Sequence, residues 1–262
     1  MTRIGFLGVG TISEAVVRAM CARPGMADEI LLSPRSSERS HALASEYARC
    51  QRLTSNQEVV DASDIVVLGM RPQQMDEALA GLVFGSDQVI ASFIAGTPPS
   101  GIAPLVAPAT RVCQLIPLPP ITLHKGPLVV CPGVPEVLTA FRDLGDLIVL
   151  DDESRIRVLS CASAIMSTYF ELQNRVIDWI ADHGIGADVA SRYVRSELEG
   201  LAAVGQVTPD SRRGDLPGEF QTKGGLNERV RAGLLERGWF DALPAELTQI
   251  YDNAILRPTG RQ

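Results

Sequence analysis

Lysine is nearly absent from this chain of 262 residues. Lysine and arginine together number 24, and only Lys125 and Lys223 are lysines. A reaction that needs a catalytic lysine therefore has two candidates. Acidic residues number 31, which gives a formal net charge of −7. This charge argues against nucleic acid as the main partner, because a phosphate backbone requires a basic binding surface.

Long hydrophobic runs are missing as well. Apolar residues make up 45% of the chain, yet no stretch reaches the roughly 20 residues that a membrane-spanning helix needs. The chain enters an apolar segment at once, without a charged leader. We therefore expect no membrane partner, no secretory signal and a cytoplasmic location.

Closely spaced metal ligands are the third absence. The cysteines are scattered and form no C-x-x-C pair, and the histidines have no metal-ligand spacing. These residues are Cys21, Cys50, Cys113, Cys131, Cys161, His41, His124 and His183. The pattern predicts reduced core thiols and no metal site.

The most informative stretch that is present lies at residues 3–13. Arg3 to Leu7 is a short apolar run, typical of a buried parallel strand, and a Gly8-Val9-Gly10 turn follows it. From Thr11 onward, apolar residues recur with helical spacing. Glycine lets backbone N–H groups approach a pyrophosphate, and a helix N-terminus adds partial positive charge. This stretch predicts a dinucleotide cradle, with an ordinary strand–helix turn as the alternative.

The next strand is predicted at residues 28–33, and its end suggests the cofactor type. A carboxylate at this point would bind the ribose 2′-hydroxyl of NAD. Ser33 and Arg35 stand there instead, and a guanidinium can bind a 2′-phosphate through a charge-assisted fork. We therefore expect NADP(H), unless Arg35 is only a solvated charge in a turn.

The period of the apolar pattern changes near residue 152. Before it, strands are predicted at 64–70, 89–94, 111–116, 128–131 and 147–150; after it, helices at 154–182, 187–204, 226–237 and 243–256, then a six-residue tail. The predicted fold is α/β, with an N-terminal Rossmann doubly wound sheet (1–152) and an all-helical C-terminal domain (153–262). Residues 154–182 lack glycine and proline and are apolar on most faces, as in a buried helix. A second subunit would cover this helix, so we expect a homodimer through the helical domains; packing within one chain is the alternative.

These features resemble the pyrroline-5-carboxylate reductase family over nearly the whole chain. Residues 4–15 look like the opening of that family, Ser33 and Arg35 match its Ser-x-Arg, and Asn56 matches an Asn at the adenosine. Residues 70–73 are similar to its Val-Lys-Pro-Gln, and residues 95–96 to its Ala-Gly. The resemblance implies cofactor contacts from Gly8, Gly10, Thr11, Ile12, Ser33, Arg35, Asn56, Met70, Arg71, Pro72, Ala95 and Gly96.

The substrate half of the resemblance lies at residues 222–240. The Pro-Gly-Gly-Thr-Thr of the family becomes Lys223-Gly224-Gly225-Leu226-Asn227. The resemblance implies that Gly224, Gly225 and Leu226 bind the substrate carboxylate, and that Asn227 donates a hydrogen bond at the imine nitrogen. Lys223 can pair with the carboxylate, which makes Asn227 and Lys223 the catalytic candidates. The alternatives are a surface lysine and a glycine turn ahead of a helix.

Other family positions differ in this chain. After the predicted strand at 111–116 the family has Arg-x-Met-Pro-Asn-Thr-Pro, whereas here Gln114, Ile116, Pro117, Leu118, Pro119 and Pro120 occupy that region. Its Gly-Ser-Gly-Pro-Ala-Tyr in the long helix is replaced by residues 164–169, Ala-Ile-Met-Ser-Thr-Tyr.

The function that the resemblance implies is NADP-dependent reduction of a cyclic imine, of the type that converts 1-pyrroline-5-carboxylate to proline in proline biosynthesis. The substrate would be a small imino acid or oxo acid. One alternative is an oxidoreductase like the 3-hydroxyacid dehydrogenases, which use a lysine on the long helix; residues 154–182 contain none. The other is a non-catalytic NADP-binding protein of the same fold.

Overall fold

The computed structural model of the protein describes residues 2–23 and 25–256. The predicted tail, residues 257–262, lies outside the described residues. The chain divides into two compact units, residues 1–157 and residues 158–262. The sequence places this boundary at residues 152–153, close to the same point.

An eight-stranded sheet forms the centre of the first unit. Its strands are β1 (Arg3–Leu7), β2 (Glu29–Leu32), β3 (Cys50–Arg52), β4 (Ile65–Leu68), β5 (Val89–Ser92), β6 (Arg111–Pro117), β7 (Pro127–Cys131) and β8 (Asp146–Val149). The strand order is β3-β2-β1-β4-β5-β6-β7-β8. Every neighbouring pair is parallel except β6 and β7. The predicted Rossmann sheet is therefore confirmed, and the order reverses at β1 and β4, where such sheets bind their ligands.

Helices connect the strands and form the second unit. They are α1 (Thr11–Ala22), α2 (Ser37–Glu46), α3 (Asn56–Ala62), α4 (Met75–Leu79), α5 (Pro99–Ile102), α6 (Pro135–Phe141), α7 (Glu153–Ala162), α8 (Ile165–Asp182), α9 (Ala187–Val207), α10 (Leu216–Glu219), α11 (Leu226–Glu236) and α12 (Trp239–Leu256). No helix in the described part of the chain is both long and apolar enough to cross a membrane.

Two apolar clusters cover the two faces of the sheet. One contains Ile4 and Phe6 of β1 together with Phe141 of α6, and the other contains Leu7 with Val59 of α3. Neighbouring residues of β1 thus serve opposite faces, as the two-residue period of a strand requires. This double cover explains why a central strand such as β4, Ile-Val-Val-Leu, is apolar along its whole length.

The sequence predicts one helix over residues 154–182, and this prediction is wrong at residues 163–164, where the helix is interrupted. It consists of α7 and α8, separated at residues 163–164. The Ser163 hydroxyl donates to the Ser160 carbonyl at 2.6 Å, and the Ala164 N–H donates to the Cys161 carbonyl at 3.0 Å. A serine side chain that bonds back to the preceding turn competes with the helical ladder, and the breaker residues glycine and proline do not mark this position.

The second unit buries few of its own apolar side chains. Among its described residues only Gln173, Ala190 and Val194 are buried. Trp179 and Tyr193 are each 61% exposed, and Phe170 is 57% exposed. The described residues of this unit therefore do not provide the burial that the sequence predicts for the long helix. Large apolar side chains that face solvent together mark an interaction surface.

All five cysteines are free thiols. Cys50, Cys113 and Cys131 are buried, and Cys21 lies with its Sγ 3.5 Å from the Sγ of Cys50. Burial raises the pKa of the Cys113 thiol to about 12, which keeps it protonated at neutral pH.

Candidate functional site

The turn after β1 is packed against the end of β4. Gly8 has a φ of +95°, and a Cβ at this residue would meet the Gly69 carbonyl oxygen at 2.9 Å. A Cβ at Gly69 would meet the Ser13 Oγ at 2.2 Å. Both positions therefore require glycine, and the small Ser13 lets α1 approach the strands. The Gly8 N–H donates to the Ser33 Oγ at 2.9 Å, and this hydrogen bond holds the turn against the end of β2.

The N-terminus of α1 opens at this turn. Gly10 is its N-cap, and no side chain caps the helix. The first intrahelical bond runs from the Glu14 N–H to the Gly10 carbonyl. The amides of Thr11, Ile12 and Ser13 precede this bond, so they lack intrahelical partners. This geometry suits an anion, because these amides and the helix dipole both favour negative charge.

A cleft of about 360 Å³ lies beside this helix end, at the carboxyl ends of β1 and β4. It is lined by Leu7, Gly8, Gly10, Arg35, Ser36, Arg39, Asn56, Gly69, Met70, Arg71, Gln74 and Ala78. Three of these side chains are guanidiniums, and none of the described lining residues is acidic. The cleft is therefore a cationic site, and it fits the phosphates of a dinucleotide.

Arg35 and Arg39 are held at the cleft by carboxylates from outside its lining. The Arg35 guanidinium lies 3.7 Å from the Glu77 carboxylate, and about half of the Arg35 side chain is exposed. Arg39 pairs with Glu14 at 3.0 Å and donates to the Thr11 Oγ1 at 3.3 Å. The Glu77 and Glu14 carboxylates contact the two guanidiniums at the edge of the cleft. Because a guanidinium has five N–H donors, each arginine keeps N–H groups that can bind a phosphate.

Asn56 lies at the first position of α3 and faces the cleft. The Ser55 Oγ caps this helix by accepting the Glu58 N–H at 3.1 Å. The Glu58 carboxylate in turn accepts the Thr54 hydroxyl at 2.6 Å and the Thr54 N–H at 2.9 Å, and these hydrogen bonds lower the pKa of Glu58. Because its neighbours satisfy the helix end, the Asn56 amide is left for a ligand.

The remaining predicted cofactor residues do not line this cleft. Ser33 is fully buried, and its hydroxyl is already the acceptor of the Gly8 N–H. It therefore supports the turn, whereas Ser36 lines the cleft in its place. Ile12 and Thr11 lie in the first turn of α1, Pro72 begins a 3-10 turn, and Ala95 and Gly96 are exposed after β5.

A second cleft lies within the helical unit. Its volume is about 500 Å³, and Glu219, Phe220, Gln221, Thr222, Leu226 and Asn227 line it. The Asn227 Nδ2 donates to the Phe220 carbonyl at 2.7 Å. An amide nitrogen carries two hydrogens, so one N–H of Asn227 is left for a ligand.

The predicted substrate glycines form the tight turn that begins α11. Gly224 has a φ of +73°, and its N–H donates to the Glu228 carboxylate. The Gly225 N–H donates to the Thr222 carbonyl at 2.8 Å. Both glycine amides therefore have partners within the chain. Lys223 is exposed beside this turn and does not line the cleft.

Gln114 has a structural role at the end of β6. It is 4% exposed, and its Nε2 donates to the Ile94 carbonyl at 2.8 Å. This bond satisfies a carbonyl just beyond β5, where the sheet ladder has ended. The side chain is thus committed to the scaffold.

Sequence reasoning missed several lining residues. In the first cleft these include Arg39, Ser36 and Gln74, and in the second Phe220, Gln221 and Thr222. Arg39 lies four residues after Arg35, in the first turn of α2, and this spacing is a signal that could have indicated it. Ser36 has a φ of +69°, which the sequence does not mark.

Comparison with known proteins agrees with this architecture. The family described as NADP oxidoreductase coenzyme F420-dependent matches residues 3–96. Pyrroline-5-carboxylate reductase of Pseudomonas aeruginosa is 26% identical over 213 residues, which cover 76% of this chain and 77% of that protein.

Two solved structures share the fold over nearly the whole chain. The 1-pyrroline-5-carboxylate reductase of Streptococcus pyogenes superposes on this chain with a TM-score of 0.81 at 20% identity. The superposition covers 96% of this chain and 97% of the Streptococcus pyogenes chain. The Plasmodium falciparum pyrroline carboxylate reductase, solved with NADP bound, has a TM-score of 0.82 at 15% identity and covers 97% of both chains. The resemblance that the sequence predicts is therefore confirmed: this chain is similar to pyrroline-5-carboxylate reductases in sequence and in fold.

Proposed function

We propose that this chain is an NADP(H)-dependent oxidoreductase that reduces the C=N bond of a cyclic imine. The observation that carries the proposal is the cleft beside α1, which three guanidiniums line and no described acidic residue lines. NADP(H) carries a 2′-phosphate that NAD(H) lacks, so the cationic lining favours the phosphorylated cofactor. The relatives named above act on, or are named for, pyrroline-5-carboxylate, which supports a C=N substrate.

The residues around the first cleft have separate tasks in this proposal. The free amides at the start of α1 and the glycine turn hold the pyrophosphate, and Asn56 faces the adenosine. Arg35 and Arg39 bind the 2′-phosphate, and Met70 and Arg71 contact the cofactor at the end of β4. NADPH bound here would supply a hydride for the imine carbon, and water would supply the proton for the nitrogen, which gives an amine and NADP⁺.

The helical unit supplies the substrate groups. The second N–H of Asn227 hydrogen-bonds the imine nitrogen and orients the C=N bond, and Lys223 is the nearby cation. The lone pair of the neutral imine nitrogen accepts this hydrogen bond, so the donor polarises the C=N bond and orients it for hydride transfer. These roles of Asn227 and Lys223 stay predictions. The role of Asn227 is tested by comparing kcat/KM for imine reduction in Asn227→Ala with that of the unmodified protein.

A homodimer completes the proposal. The exposed apolar side chains of α8 and α9 are too numerous for a surface in water, and a second copy of this chain would cover them. A cytoplasmic location likewise stays a prediction.

Turnover assays test the function directly. Purified protein with NADPH is mixed with a panel of cyclic imines and 2-oxo acids, and the oxidation of NADPH is followed by the loss of the absorbance of its reduced nicotinamide. We expect oxidation of NADPH by at least one cyclic imine and none by the 2-oxo acids alone. Oxidation of a 3-hydroxy acid with NADP⁺ instead, without turnover of any imine, would support the 3-hydroxyacid dehydrogenase alternative. Tight NADPH binding without any turnover would leave the non-catalytic alternative.

A further inference from the structure

Two cysteine thiols meet at the edge of the sheet in the first unit. Cys21 lies in the last turn of α1, and Cys50 is the first residue of β3. Their Sγ atoms are 3.5 Å apart, although the two residues are 29 positions apart in the sequence. Neither residue lines the first or the second cleft. The proposed function therefore leaves this thiol pair without a role.

The two thiols differ in their access to solvent. Cys50 is 6% exposed and belongs to the apolar cluster that contains Phe6 and Phe141. Cys21 is partly exposed and packs against the same cluster. Cys21 is therefore the thiol of the pair that an oxidant in solution can reach, and Cys50 is the buried thiol behind it.

The surroundings of Cys21 favour its thiolate, which is the reactive form of a cysteine. Arg18 lies one helical turn before Cys21 but is paired with Glu46 at 2.6 Å. Arg49 donates instead to two backbone carbonyls just beyond α1, at 3.3 and 3.4 Å, and so brings a positive charge to this helix end. A hydrogen bond from the Cys50 thiol, and then the charge of Arg49, lower the pKa of Cys21 although burial opposes them.

A bond between the two sulfurs requires only a small movement. The sulfurs of a disulfide are about 2.05 Å apart, so the two Sγ atoms must approach each other by roughly 1.5 Å. Cys21 is one residue from the end of α1, and helix ends fray. Cys50 begins a three-residue strand at the edge of the sheet. Both positions can therefore shift without moving the centre of the sheet.

We propose that Cys21 and Cys50 form a peroxide-reactive thiol pair, which hydrogen peroxide converts to a disulfide within the native fold. The pair links α1, whose first turn borders the cofactor cleft, to the edge strand β3. The proposal stands apart from the proposed function, because it needs neither cofactor nor substrate.

The reaction has two steps. The Cys21 thiolate attacks one oxygen of the peroxide and the O–O bond breaks, which gives a sulfenic acid on Cys21 and a hydroxide that takes up a proton to become water. The Cys50 sulfur then attacks the Cys21 sulfur and the S–O bond breaks, so that the hydroxyl group leaves with the Cys50 proton as a second water. The two sulfurs together lose two electrons, and the peroxide gains them.

Peptide mapping of the unmodified protein tests the pair directly. The folded protein is treated with hydrogen peroxide, its remaining thiols are alkylated during denaturation, and it is digested with trypsin without reductant. Cleavage after Arg49 separates the two cysteines. We expect a peptide joined through Cys21 and Cys50, the loss of two of the five thiols and their recovery with dithiothreitol. A disulfide between other cysteines, or a loss that dithiothreitol does not reverse, would overturn the proposal.

Single variants test the order of the two steps. In Cys50→Ala the sulfenic acid on Cys21 has no partner, so dimedone should trap it there. In Cys21→Ser we expect trapping at Cys50 to be at least tenfold slower. Cys161→Ser is the matched control, because Cys161 is a partly exposed cysteine of α7, and this variant should still lose two thiols. Equal trapping at Cys50 and at Cys21 would overturn the role of Cys21 as the attacking thiol.

Thermal unfolding tests whether the native fold accommodates the disulfide. A cross-link between residues this far apart in the sequence restricts the unfolded chain, so the oxidised protein should melt about 5 °C above the reduced protein. Cys21→Ser treated with peroxide in the same way should keep its melting temperature. If the joined peptide forms but the melting temperature does not rise, the bond distorts the fold, and the claim that it forms within the native structure is wrong.

Discussion

Arg35 extends from the loop after β2, with its guanidinium 3.7 Å from the Glu77 carboxylate and on the wall of the first cleft. Arg35→Ala should weaken NADPH binding by about tenfold or more, because charge-assisted hydrogen bonds contribute about 1.5–3 kcal/mol. NADH binding should change little, since NADH has no 2′-phosphate. Fluorescence titration with both cofactors measures the difference. Arg142→Ala, at an exposed residue of the same unit, is the control, and an equal loss for both cofactors would contradict the assignment.

Asp64 links the start of β4 to the start of β1. Its carboxylate accepts the Arg3 N–H at 2.8 Å and a guanidinium N–H of Arg3 at 3.1 Å. Partial burial acts to raise the pKa of Asp64, but these hydrogen bonds outweigh it and hold the pKa below its usual value. The contribution to stability is therefore present above the unfolded pKa of about 3.9 and is lost as the pH falls through the folded pKa.

Asp64→Asn should therefore lower the melting temperature at pH 7 and have a smaller effect at pH 3. Because the pair is partly exposed, the expected loss is below about 1 kcal/mol. Thermal unfolding followed by circular dichroism at the two pH values measures it. Asp178→Asn, at an exposed position of α8, should change neither value. A loss that is as large at pH 3 as at pH 7 would show that the carboxylate charge is not responsible.

At the scale of elements, the contact between the β4 end and α1 depends on Gly69. A Cβ there would lie 2.2 Å from the Ser13 Oγ and 2.5 Å from the Gly8 carbonyl oxygen. Gly69→Ala must therefore move α1 or the glycine turn, and we expect a loss of about 1–3 kcal/mol in the free energy of unfolding, together with weaker NADPH binding. Urea unfolding and NADPH titration measure the two effects. Gly200→Ala in α9, where a Cβ meets nothing within 4 Å, should leave binding unchanged.

The strands and the glycine turn could be predicted because their signals are local. Residues 4–7, Ile-Gly-Phe-Leu, carry no polar side chain, and glycines at 8 and 10 follow. The break at Ser163 could not be predicted, since it depends on one side-chain hydrogen bond and not on glycine or proline. The three-residue strand β3 carries too little pattern to indicate it.

Some residues of the two clefts could likewise be predicted from the sequence, and others could not. Arg35 and Asn56 follow family positions, so the sequence indicates them. Ser33 and Ser36 could not be distinguished, because burial places one hydroxyl under the glycine turn and a left-handed backbone brings the other to the cleft. The engagement of the Gly224 amide by Glu228 depends on the shape of the turn, which composition does not determine.

At the scale of the whole molecule, the exposed apolar surface of the helical unit makes an oligomer testable. We expect light scattering after size exclusion to give twice the 28.2 kDa of the chain. Phe170→Glu and Tyr193→Glu, which place a charge among exposed apolar side chains of α8 and α9, should shift the mass toward that of one chain. Val83→Glu is the matched control, because Val83 is 70% exposed in the first unit. A single-chain mass for the unmodified protein would contradict the homodimer.

The scarcity of lysine has a practical consequence for following this molecule in solution. Lys125 is exposed in the first unit, after β6, and Lys223 is exposed in the second, beside the turn that begins α11. Apart from the terminal amine, each unit therefore carries one primary amine. A Lys223→Arg exchange leaves primary amines in the first unit alone, so an amine-reactive dye or crosslinker reports on that unit without any introduced cysteine.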